Sequence, residues 1–203
     1  VWRWLGPAVA VLVALGTGVA VAGRSGDGGA GDGPQPVRSG EPAPVAVGSD
    51  APRFRSLDEL VAASDVVVRG EVVATERGRP FGEPGGTTIV SRLVTLRVDT
   101  VLAGTAPGGD AVLVEDEGWL EDGAPLVVDG VPPTAEGDAG VWFLAAGGDP
   151  DVPAYLAVGP QGRYLADADA DSDGLRPAAA DPLAAELAAL GEDGLAAAVA
   201  AAG

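Results

Sequence analysis

Hydrophobic and polar positions alternate along much of the chain. From Thr87 to Leu102, Val90, Val94, Leu96, Val98 and Leu102 share one parity, and Arg97 and Asp99 fall on the other. A period of two marks a half-buried antiparallel strand. Val66 to Val73 is a second long strand, β-branched throughout, with Gly70 as a bulge or bend. Shorter strands are expected at Ala111–Val114, Val141–Leu144, Tyr155–Val158 and Arg163–Leu165. Arg77 to Gly86 reads as a turn-rich loop. Gly118 to Gly140, with Pro125, Pro132 and Pro133, reads as a long irregular connection.

Helical spacing flanks this strand-rich middle. Ser56 is a good N-cap, Glu59 completes the S-x-x-E capping box, and Leu57, Leu60 and Val61 make an apolar stripe. At the other end Asp181 caps and Pro182 takes the first helical position. Leu183, Leu187 and Leu190 make a stripe that stops at Gly191. An Ala-rich helix is expected from Asp193 through Val199. Five or six modest strands between helices predict a mainly β domain rolled into a small, partly closed barrel.

The front of the chain follows different rules. Leu5 to Ala22 carries no charge, Arg3 precedes it, and Ala20-Val21-Ala22 is a small-x-small cleavage site. The run is also long enough to span a bilayer, so signal peptide and membrane anchor both remain open. Either reading places the body outside the cytoplasm, secreted or held by one N-terminal helix. Residues 23–52 are rich in Gly and Pro and lack apolar periodicity, so they read as a disordered linker. Residues 53–203 then form a single domain.

Three segments resemble a known family. Asp65 to Val73 looks like the first barrel strand of the netrin-like domain of tissue inhibitors of metalloproteinases. Leu96 to Gly104 resembles that domain's second strand and turn, and Gly137 to Leu144 its polar turn followed by an aromatic-aliphatic strand. The Gly159-Pro160-Gln161-Gly162-Arg163-Tyr164 stretch also resembles one that recurs in a broad group of exported bacterial proteins. The likeness covers residues 56–166 and implies an OB-type, five-stranded Greek-key barrel. It does not carry protease inhibition with it. Those inhibitors chelate zinc through an N-terminal cysteine, and this chain has no cysteine.

Composition narrows the chemistry. The net charge is −18, and all twelve basic residues are Arg. Such a surface repels phosphate backbones, so nucleic acid is not an expected partner. It also favours a soluble monomer, which would meet a membrane only through an uncleaved N-terminus. The chain lacks His, Cys and Lys. A Ser/His/Asp triad, a Cys/His pair and a His-based zinc site are therefore excluded within one chain.

A few candidate sites remain. Glu115 and Glu117 share parity at a strand end with Asp116 between them, a pairing suited to acid–base work or to a solvated acidic turn. Asp169, Asp171 and Asp173, followed by Gly174, match the first half of a calcium loop. Its twelfth position is Ala180, so weak calcium binding is the most this run implies, and no other cofactor is expected. Gln161 and Arg163 sit where a loop faces a ligand or where a tight turn joins two strands. Trp119 marks either a contact surface or rim packing. These features predict a non-catalytic exported binding module whose partner is a protein or a cell-envelope component. A calcium-stabilised module and a carboxylate-dependent hydrolase are the alternatives.

Overall fold

The computed structural model describes residues 42–82, 86–106, 108–147, 151, 153–167 and 174–203. The apolar N-terminal run and most of the linker lie outside these residues, as do Asp169, Asp171 and Asp173. Among the described residues no helix is long and apolar enough to cross a membrane.

Among the described residues, nine strands and three short helices follow in the order β1 (Val45–Val47), α1 (Leu57–Ala62), β2 (Val66–Phe81), β3 (Ile89–Gly104), β4 (Ala111–Leu120), β5 (Leu126–Val128), β6 (Ala139–Ala146), β7 (Tyr155–Ala157), β8 (Arg163–Ala166), β9 (Leu175–Pro177), α2 (Pro182–Ala188) and α3 (Gly191–Ala202). Five strands close a barrel in the ring order β2-β3-β4-β7-β6, with β6 returning to β2. Every ring pairing is antiparallel except β4 with β7, which meet in parallel at Val114 and Tyr155. Outside the ring, β8 continues along the Gly140–Trp142 end of β6, and β9 pairs with β8.

The long apolar runs are continuous because β2 and β6 are buried on both faces. Val66, Val68 and Val72 of β2 enter the barrel with Trp142 and Leu144 of β6 and Val94, Leu96, Val112 and Val114. Val67, Val141 and Phe143, of opposite parity, pack outward under Leu60, Leu187, Leu195 and Val199 of the helices. One side of the barrel is thus roofed by helices, and burial of both strand faces stabilises this side most. Ser56 accepts the Glu59 N–H at 3.2 Å, and Asp181 accepts the Ala184 N–H at 2.9 Å, so each side chain satisfies an orphan donor of its helix.

The structure extends several elements past their sequence limits. β2 runs on to Phe81 through the stretch read as a loop. Register shifts beside Val72 and between Arg77 and Pro80 absorb Gly78 and Pro80, and Pro80 needs no ladder donor at such an irregularity. β4 continues to Leu120, so β2, β3 and β4 form an arm projecting past the barrel. The connection after it contains β5, which pairs in parallel with β1. Val45 to Val47 therefore form a strand although composition assigns them to the linker. Asp129 secures this strap, with its carboxylate accepting Ser49 N–H at 3.2 Å and Ser49 Oγ at 2.5 Å and facing Arg53 at 3.6 Å. The helices shift as well: α2 ends at Ala188, and α3 begins at Gly191.

Candidate functional site

At one end of the barrel the apolar filling gives way to charge. Val94 and Leu96 of β3 point inward, and Arg92 shares their parity. Arg92 pairs directly with Asp116 of β4. On β8, Arg163 pairs with Trp142 and shares the face of Leu165. Arg163 and Arg92 are only 5% and 8% exposed. Cross-strand partners share a face, so both guanidiniums lie at the mouth, with that of Arg163 5.7 Å from the Trp142 ring centroid.

The connection between β5 and β6 covers this mouth. Arg92 Nη1 donates to the Thr134 carbonyl at 2.8 Å, and Arg163 Nη2 to the Pro132 carbonyl at 2.6 Å. Arg163 Nη1 donates to Thr134 Oγ1, which in turn donates to Asp116 Oδ2 at 2.7 Å. Asp116 Oδ2 also faces Arg163 at 3.6 Å. Burial pulls the Arg92 guanidinium below its ordinary value, and the Arg163 charge adds to this while Asp116 opposes it. The Glu117 carboxyl is pushed up to about 7, chiefly by burial and then by the Asp116 charge beside it.

Trp119 sits at the outer side of this cluster, half-buried on β4. The Arg92 guanidinium lies 4.2 Å and the Arg77 guanidinium 5.0 Å from its ring centroid, both within cation–π range. Trp119 thus belongs to a stacked, partly open assembly on the arm.

The other expected residues have different surroundings. Gln161 is buried, and its amide is committed to the chain. Oε1 accepts the Phe54 N–H at 2.6 Å, while Nε2 donates to the Phe54 carbonyl at 3.0 Å and to Asp181 at 3.1 Å. It is a clasp between the N-terminal segment, the β7–β8 turn and the α2 cap. Gly159 fits there because its φ of +62° and its approach to the Pro52 carbonyl leave no room for a Cβ. Glu115 is held by Arg79 through two bonds of 3.0 and 3.1 Å, away from the Asp116 network. Arg163 lies inside the mouth rather than on a loop face.

Sequence reasoning passed over Arg92 and Thr134. Arg92 carried a usable signal, since a cation on the apolar parity of a long amphipathic strand must be buried and partnered. Thr134 carried none, because its role depends on how a proline-rich connection folds back. No protein-family model and no curated protein matches this chain.

Proposed function

We propose that the chain is a non-catalytic binding module acting outside the cytoplasm, whose arm of β2, β3 and β4 takes a protein or a cell-envelope component. The uncharged N-terminal run supports the address. Strand order supports an OB-type Greek-key barrel, as expected from the netrin-like resemblance. Counted from β2, the ring reads first, second, third, fifth, fourth, with the third and fifth parallel. Barrels of that type receive ligands on their second and third strands and adjoining loops.

The observation that carries the reading is Trp119. It lies on the third barrel strand, partly open, with two guanidiniums over its ring. A half-exposed Trp braced by Arg is the kind of anchor that contributes most at interfaces. A photo-crosslinking residue tests this when placed either at Phe81, exposed on the arm, or at Leu190, exposed on the helical side. In intact cells the arm position should capture a discrete envelope partner that the helical position misses. Equal capture from both positions, or none from the arm, would refute the reading.

One observation favours a second reading, carboxylate-dependent hydrolysis. Burial and the neighbouring Asp116 charge push the Glu117 carboxyl up to about 7, the range in which a carboxyl can serve as a general acid. Turnover of an envelope glycan that is lost in Glu117→Gln would replace the binding reading with this one.

A further inference from the structure

We propose that Arg77 and Arg92, above the Trp119 ring, form a binding site for an oxyanion: a carboxylate or phosphate group presented by the ligand. The inference rests on the arm being the binding face and names the chemistry that face recognises. Arg77 and Arg92 are direct cross-strand partners in the β2–β3 hairpin. Like charges placed opposite one another destabilise a sheet unless something negative lies between or beside them. Asp116 is the nearest acid in register, but Thr134 and Arg163 already engage its Oδ2. Arg163 adds a third guanidinium to the cluster, so three cations share two carboxyl groups, Asp116 and the partly buried Glu117.

Two further observations support an anion at this place. Arg92 is more than nine-tenths buried, yet its Nε has no hydrogen-bond partner among the described residues. Arg77 is exposed and forms no ion pair among the described residues, its partner being the Trp119 ring. An oxyanion beside Arg77 accepts from its exposed guanidinium, and reaches the enclosed Arg92 Nε once the side chains covering that atom part. Planar guanidiniums suit carboxylate and phosphate oxygens in this way. The indole ring serves as the flat wall that holds both cations in place. The net charge of −18 opposes anions at long range. At physiological salt this field is screened over about 8 Å, which leaves the local pair decisive.

The test uses the full chain labelled with 15N and follows the Trp119 indole N–H resonance, assigned with Trp119→Phe. Inorganic phosphate and glucuronate are the two probes, with sodium chloride at matched ionic strength as control. Either probe should move the resonance saturably, and the arm that works tells a phosphate-bearing ligand from a uronate-bearing one. Arg77→Gln should raise the midpoint about tenfold, the loss of one charge-assisted hydrogen bond, with Arg77→Lys between the two. Shifts that never saturate or that chloride reproduces would overturn the proposal, as would a midpoint unmoved in Arg77→Gln. If titration fails while crosslinking from Phe81 persists, the anion site falls and the binding reading stands. If anions bind and Phe81 captures nothing, the binding reading falls instead.

Discussion

Gln161 grips the backbone of Phe54 from both sides, accepting its N–H at 2.6 Å and donating to its carbonyl at 3.0 Å. These residues lie 107 positions apart, so one side chain ties the segment before α1 to the turn between β7 and β8. Gln161→Ala empties a buried position and strips both backbone groups of their partner. A loss of about 2–4 kcal/mol is expected in urea unfolding, since each unsatisfied buried group costs about 1–3. Faster hydrogen exchange at Phe54 should accompany it.

Thr134 links two elements through one hydroxyl, accepting from Arg163 and donating to Asp116. Thr134→Val keeps the volume and removes both bonds, and a buried guanidinium is left short of an acceptor. The expected cost is about 2–3 kcal/mol. Arg92 keeps its bond to the Thr134 carbonyl, so the mouth should loosen around Arg163 first. Side-chain exchange at Arg163, followed by NMR, reads this directly.

Glu117 makes stability depend on pH in a defined direction. Its folded carboxyl titrates near 7, against an ordinary value of 4.5. The fold therefore holds a proton that the unfolded chain sheds. The stabilisation this group gives is complete below about 4.5, declines as pH rises, and is lost above about 7. Denaturation midpoints of the chain minus those of Glu117→Gln, measured from pH 4 to pH 9, should fall across that window and flatten beyond it. A flat difference would show that Glu117 is not held protonated.

Gly140, second in β6, has a φ of +149°, and a Cβ there would run into the Tyr164 carbonyl. It pairs with Leu165 of β8 and with Gly70 of β2, so the strand is gripped on both edges. Gly140→Ala should cost about 3 kcal/mol or more through strain alone. The β6–β8 amides should lose exchange protection before the β2–β3 amides do.

The barrel was largely legible because its strands announce themselves. Val94, Leu96 and Val98 alternate and enter the core, and the unbroken Val66–Val68 and Val141–Leu144 runs mark strands buried on both faces. The bend expected at Gly70 coincides with a register shift. Short pairings left no such trace. β1 and β5 are three residues each, and their contact spans some eighty positions, so no local pattern reveals it. The arm was hidden for a different reason. Gly78 and Pro80 read as breakers, but bulges in a long hairpin absorb them. The candidate site was legible in pieces: Trp119, Arg163 and the Glu115–Glu117 run all stood out. What joined them was not, because Arg92 and Thr134 gain their roles only when three strands and a connection converge.

The central claim is that the Trp119 face binds a component of the cell envelope. Co-sedimentation of the purified chain with isolated envelope material tests it most directly, using Trp119→Ala and Leu190→Ala in parallel. The account predicts saturable binding by the native chain and by Leu190→Ala, weakened about tenfold or more in Trp119→Ala, as for an interface anchor. Equal binding by all three, or no saturable binding by the native chain, would contradict it.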